Sequence, residues 1–354
     1  MLDIETPALV VDRARLRSNV AAMADTARSK GMALRPHAKT HKSIHIANLQ
    51  IGAGAVGLTV ATVSEAAAFA EHGVDDLLIA YPIVPIGAKA GRFRDLLDRV
   101  TLRVGVDSAA GAAAIAAAAA GRAVSVLIEI DSGQHRTGVP ASEAAALAAE
   151  CDRLGLTVDG VFTHGGHAYA GPEAPTGAGI DEGDQLSLAA HALRDAGHVI
   201  SVVSAGSTPT WRSPRPPAVT EERPGTYVFG DRQQVALGAQ DPGDCAAWIA
   251  ATVVGVRDGR IVLDAGSKAL TAERPEWLAG YGTVPELGGA LITRISEHHG
   301  VLDDVPTAGV CVGDQVSVIP NHICTAVNLF DEYVVVEADR VVDRWPLIAR
   351  GRNC

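Results

Sequence analysis

The stretch VSVLIEIDSGQHRTGV, residues 124–139, begins with seven residues of which five are apolar, then breaks into a polar turn that carries Arg136. A run this short and this apolar on both faces fits a strand covered on two sides, the habit of parallel sheets flanked by helices. Working upstream, similar runs recur as MALRPH (32–37), AVGLTV (55–60), DLLIAY (76–81) and TLRVGV (101–106); downstream they recur as VDGVFTH (158–164), VISVVS (199–204) and GTYVFG (225–230). That makes eight. Ala-rich segments lie between them. SEAAAFAEHG, 64–73, places a Ser N-cap and a Gly at the C′ position, and GAAAIAAAAAGRA, 111–123, is built from the best helix former. Strand and helix alternating eight times predict an α/β fold, a (β/α)8 TIM-type barrel over residues 12–236. An open doubly wound sheet is the alternative, because counting strands does not prove closure.

Past Leu237 the texture changes. ATVVGVRDGRIVLDAG (251–266) and YVVVEADRVVDRW (333–345) alternate apolar and polar residues around tight polar turns. They predict a C-terminal antiparallel β domain over 237–354, joined by residues 1–11 through PALVVD. The Pro-rich segment STPTWRSPRPPAVTEERPG, 207–225, precedes the eighth run and is too long for a minimal connection, which marks it as a candidate part of a site.

Composition narrows the function. The 354 residues exceed one ordinary core, and a formal charge of −11 offers no basic footprint for nucleic acid or an anionic membrane. No 18-residue apolar run exists to span a bilayer, and MLDIETPALVVD lacks the basic and apolar regions of a signal peptide, so a cytoplasmic protein is expected. Five scattered cysteines without C-x-x-C argue against a disulfide framework, and each reads as a small buried hydrophobe.

In a barrel of this kind the chemistry sits at the C-terminal ends of the strands. The first strand ends in RPHAKTHK (35–42). It delivers Lys39 to the barrel mouth, where a desolvated amine among cations becomes a nucleophile; His37, His41 and Lys42 are its candidate neighbours, Lys42 itself reading as a solvated helix-start residue. The fifth strand brings Arg136, and the sixth brings His164, His167 and Tyr169. SAGSTPT, 204–210, is a small-residue turn able to cradle a phosphate. A strand-end lysine, an arginine and a phosphate turn together suit pyridoxal phosphate. In IPNHICTAVNLFDEY, 319–333, His322 and Cys324 would share one face of an extended strand. Imidazole and thiolate suit Zn²⁺, and two protein ligands would leave positions for water or substrate.

At these residues the chain resembles the fold-type III, alanine racemase-like pyridoxal phosphate enzymes, within them the zinc-dependent D-serine dehydratase and D-threonine aldolase group. TPALVVD, RPHAKTHK, SEAAAFAEHGVDDLLIAYP, DSGQHRTG, GSTPT, RPGTYVFGD, PNHIC and DRWPLIARGR follow in the order of that family. The resemblance implies a Schiff base from Lys39, phosphate contacts from Gly206, Ser207, Thr208 and Tyr227, and ring contacts from Arg136 and Tyr169. It further implies a metal pair, His322 and Cys324, for Zn²⁺ or another divalent ion, and a homodimer with a shared active site. The aldolases of this group usually carry H-x-D at the metal pair and the dehydratases H-x-C. Cys324 therefore favours a PLP-dependent lyase of the D-serine dehydratase type, acting on D-β-hydroxy-α-amino acids by β-elimination to a 2-oxo acid and ammonia. D-threonine aldolase, cleaving to glycine and an aldehyde, is the alternative. An amino-acid racemase would need a tyrosine base, for which Tyr281 and Tyr333 are poor candidates, and a non-catalytic cofactor carrier would lack the β domain. His299 reads as a solvated loop residue.

Overall fold

The computed structural model describes residues 2–354. The chain divides into two compact units: a barrel unit of residues 23–39, 46–225 and 351–354, and a β unit made of the N-terminal residues through Ala22, residues 40–45 and residues 226–350. The division falls inside the RPHAKTHK motif, directly after Lys39.

In the barrel unit, eight parallel strands pair in chain order: Ala33–Leu34, Leu58–Val60, Asp76–Pro82, Thr101–Val106, Ser125–Glu129, Thr157–Phe162, Val202–Ala205 and Glu221–Glu222. The eighth pairs with the first through Ala33 and Glu221. First and second meet in a parallel bridge between His37 and Thr59, where Ala38 N donates to Thr59 O (2.8 Å) and Thr59 N to Pro36 O (2.8 Å). The ring is therefore closed, which decides against the open sheet. Leu78, Leu127 and Phe162, from the third, fifth and sixth strands, meet as a buried cluster. Small residues make that filling possible. A Cβ on Gly105 would stand 2.8 Å from the Phe162 ring, and one on Gly160 would stand 1.7 Å from Val202 O.

Two local expectations are corrected. GTYVFG is not the eighth strand: Thr226–Val228 is a single 3-10 turn, and the eighth strand is the glutamate pair within the Pro-rich segment. Its side chains are buried because arginines partner them, so no apolar pattern marks it. The helix Val63–Glu71 is capped by Thr62, whose hydroxyl accepts from Glu65 N (2.9 Å), rather than by Ser64; Gly73 closes it at φ +90°.

In the β unit, Ala8–Asp12 pairs antiparallel with Ala247–Arg257 and parallel with Glu332–Glu337, so PALVVD does join this sheet. Val10, Ala250, Val334 and Val336 form the buried face of that junction. Both expected hairpins exist. Ala247–Arg257 turns into Arg260–Leu263 through Asp258 and Gly259, and Glu332–Glu337 turns into Arg340–Pro346 through Ala338 and Asp339, both at positive φ. Apart from the one parallel pair the sheet is antiparallel. Among the described residues, no helix is long and apolar enough to cross a membrane.

Candidate active site

At the C-terminal ends of the barrel strands, cations converge on one histidine. His164 follows the sixth strand, and its ring is held well below the usual histidine range by burial first, then by Lys39, Arg136, Arg223 and His167. A neutral imidazole ringed by lysine and arginine defines a region of positive potential suited to an anionic ligand. Tyr169 lies in the short turn Gly166–Tyr169, its ring 6.3 Å from that of His164. Lys39 occupies the turn after the first strand, with its backbone N–H directed at His37 Nδ1 (3.4 Å). It is exposed, so the expectation of a desolvated amine is not met, although its cationic surroundings are.

The turn after the seventh strand has the form of an anion cradle. Gly206 sits at φ +98°, and a Cβ there would fall 1.9 Å from Glu222 Oε2, so only glycine fits. Ser207 and Thr208 are buried beside it. Together with the cations around His164, this small-residue turn fits the phosphate of pyridoxal phosphate.

Several charged residues of this half escaped the sequence reading because hydropathy treats charge as surface. Arg223 is buried; it donates through Nη1 to Ser204 Oγ (2.7 Å) and stacks on the Phe162 ring at 5.2 Å. Glu129 ends the fifth strand. Its Oε1 accepts from Thr137 Oγ1 (3.0 Å), while buried Oε2 has no hydrogen-bond partner among the described residues. Burial pushes its carboxyl up to about 7, against the pull of Thr137 and Arg136. Between its ordinary 4.5 and about 7 the folded chain holds a proton that the unfolded chain releases, so stability falls as pH rises through that window. The shift corresponds to roughly 3 kcal/mol. In urea unfolding of the cofactor-free protein, Glu129→Gln should remove this slope, gaining stability at pH 8 and none at pH 4.5. Parallel pH profiles for variant and parent would refute it.

The β unit holds the remaining candidates. The HxC pair is not on an extended strand: the strand Gln315–Pro320 ends before it, His322 is the N-cap of the short helix Ile323–Val327, and Cys324 lies in its first turn. The two side chains nonetheless meet. Burial opposes the charged imidazole, but the Cys324 thiolate, a hydrogen bond to it and the carboxylates of Asp231 and Glu273 raise His322 to about 10. His322 Nδ1 lies 3.1 Å from Gln233 Oε1, and Cys324 Sγ lies 3.3 Å from Thr40 Oγ1. A nitrogen and a soft sulfur brought together inside a polar shell fit a divalent metal. Among the described residues there is no cluster of three or more His, Cys, Asp or Glu that could hold an ion, so the remaining positions would fall to other ligands.

Tyr227 is buried in the turn Thr226–Val228, its carbonyl accepting from Gln240 Nε2 (2.8 Å); it belongs to the β unit, whereas Gly206, Ser207 and Thr208 belong to the barrel unit. Lys42 is corrected. Far from solvated, it is buried at φ +50°, its Nζ donating to Asn328 Oδ1 (2.8 Å). His41 is also buried, and its carbonyl accepts from the Tyr333 hydroxyl (2.8 Å), which leaves Tyr333 enclosed rather than poised as a base. His299 is exposed, as expected. Cys151 and Cys245 are buried, with burial pushing their thiols to about 11 and about 12, but Cys311 and Cys354 are exposed, contrary to expectation.

Comparison with known proteins decides the family. The alanine racemase N-terminal domain family matches residues 11–233, and the putative serine dehydratase domain family matches residues 246–336. The chain belongs to the alanine racemase-like family of fold-type III enzymes. D-threo-3-hydroxyaspartate dehydratase of Delftia sp. (strain HT23) is 36% identical, over 98% of this chain and 97% of its own. Its solved structure superposes with a TM-score of 0.91 at 35% identity, covering 97% of each chain. D-threonine aldolase of Arthrobacter sp is 32% identical, over 98% of this chain and 93% of its own. Structures of the hydroxyaspartate dehydratase also exist with a histidine or, two positions on, a cysteine replaced by alanine, the latter in a metal-free form (TM-scores 0.91 and 0.90, 35% identity). Fold-type III enzymes use pyridoxal phosphate, and these full-length relatives are lyases of D-β-hydroxy amino acids.

Proposed function

We propose that the chain is a pyridoxal phosphate- and zinc-dependent dehydratase of D-β-hydroxy-α-amino acids, taking D-serine and its carboxylated analogue D-threo-3-hydroxyaspartate to a 2-oxo acid and ammonia. The observation that carries this reading is the hydrogen-bonded His322–Cys324 pair, which has the His-x-Cys spacing of the two residues replaced in the metal-binding relative. Bound cofactor supplies an electron sink that acidifies the substrate Cα–H bond. Lys39 is its anchor, and the freed Nζ takes the Cα proton as general base. Gly206, Ser207 and Thr208 hold the phosphate, with Tyr227; Arg136 and Tyr169 flank the ring, and His164 stays neutral beside them. His322 and Cys324 would hold the divalent metal, a Lewis acid toward a hydroxyl. The working form in this reading is a cytoplasmic homodimer with a shared active site.

Incubating the zinc-loaded holoenzyme with D-serine, D-threo-3-hydroxyaspartate and D-threonine, then assaying both 2-oxo acid and glycine, tests it. Oxo acid without glycine is expected. Glycine with an aldehyde would establish the aldolase reading, which the 32% identity to the Arthrobacter enzyme supports.

A further inference from the structure

The Pro-rich segment before the eighth strand lies along the helix Ala174–Asp195. Gly179 and Gly183, four residues apart, open a groove on that helix: a Cβ on the first would stand 2.1 Å from Ser213 Oγ, and one on the second 2.6 Å from Pro216 Cδ. The segment thereby sends Arg215 inward, its side chain only 3% exposed, between two buried carboxylates. Nε donates to Glu222 Oε1 at 2.7 Å. Nη2 lies 3.0 Å from Glu182 Oε2, off the line of a hydrogen bond, so Coulomb attraction joins them. Nη2 also reaches Glu222 Oε2 (3.4 Å), and the remaining bonds go to backbone and hydroxyl: Nη1 to Gly179 O (3.0 Å), Nη2 to Thr210 O (3.2 Å) and to Thr210 Oγ1 (3.3 Å).

All three charges act on the 206–210 turn. Glu182 Oε1 accepts from Gly206 N (3.2 Å) and from Gly165 N (2.8 Å), tying this turn to the loop after the sixth strand. Glu222 packs against the Cα of Gly206, where a Cβ would fall 1.9 Å from its Oε2. Thr210 Oγ1, held by Arg215, accepts from Ser207 N (3.1 Å). Two carboxylates under a turn meant for a phosphate are a liability, since like charges in a low-dielectric interior repel strongly. Arg215 is wedged between them and ion-paired to both, while buried Arg223 lies within Coulomb range of the two and Lys30 sits further out beside Glu222.

We infer that Arg215 is a positioning residue for phosphate binding: through Thr210 it sets the shape of the turn, and it cancels one of the two carboxylate charges beneath Gly206. The inference rests on the proposed assignment of the phosphate to Gly206, Ser207 and Thr208.

Affinities of the full-length apoprotein for pyridoxal phosphate and for pyridoxal, which lacks the phosphate, test it. Arg215→Met should weaken pyridoxal phosphate at least about tenfold while moving pyridoxal by less than about threefold, with Arg215→Lys recovering part of the loss as a cation without the planar fork. Glu222→Gln, which keeps Arg215, should strengthen pyridoxal phosphate by about threefold or more and leave pyridoxal unchanged. If Arg215→Met does not fold, the Glu222→Gln comparison decides alone. Equal loss of both ligands in Arg215→Met, or an unchanged preference in Glu222→Gln, would overturn the inference. A wild-type protein that fails to prefer the phosphorylated ligand would instead overturn the phosphate assignment, and the inference with it.

Discussion

Lys39→Ala is expected to lower kcat by roughly three to four orders of magnitude and to abolish the near-visible absorbance of a lysine-bound cofactor. The loss is large because one amine has two duties, anchoring the cofactor and carrying the Cα proton, and no neighbour can take over both. His164 is neutral but is a weaker base than a free amine. Added primary amines should restore part of the rate, since they supply the missing base without the chain. Lys42→Ala is the informative control. That lysine is buried against Asn328, so its loss should cost about 1–3 kcal/mol of stability by removing a charge-assisted hydrogen bond and a packed side chain, with the absorbance band intact. A band that persists in purified Lys39→Ala would remove Lys39 from the anchor role.

The contrast between these two lysines shows which features the sequence made legible. Lys39 could be found because a strand of apolar residues precedes it and barrel chemistry collects at strand ends. Lys42 could not, because its burial depends on a positive-φ backbone and on Asn328, far away in the chain. The same reason hid the eighth strand. Glu221 and Glu222 have no apolar signature, and they are inside only because Arg35 and Arg215 neutralise them. GTYVFG shows the converse: β-branched and aromatic residues with flanking glycines look like a strand, yet Thr226–Val228 closes as a tight turn. The seven strands read correctly are those whose apolar run is dictated by burial on both faces, which needs no partner charge to explain it.

Cys324→Ala is expected to drop bound metal well below one per chain and to slow β-elimination by roughly two to three orders of magnitude. The physical case starts from how little else holds the ion. Cys324 supplies the soft, anionic half of the pair, and its thiolate is the largest favourable influence on the charge of His322. Without it, His322 keeps Gln233 and Asp231 as neighbours, and one imidazole alone is a poor metal ligand. The fold should survive, since Cys324 is only partly buried and its sulfur contacts two hydroxyls, Thr40 and Thr226. Thermal unfolding of the metal-free variant that matches the metal-free parent would therefore separate a ligand from a structural residue. Treating the wild-type holoenzyme with a chelator should reproduce the variant's rate, and returning Zn²⁺ should rescue the wild type but not Cys324→Ala. Elimination that continues undiminished after the metal is stripped would exclude the pair from catalysis. In that event the β-hydroxyl would have to be activated by side chains other than this pair, and the choice between dehydration and aldol cleavage would turn on which of the hydroxyl proton and the Cα proton they remove.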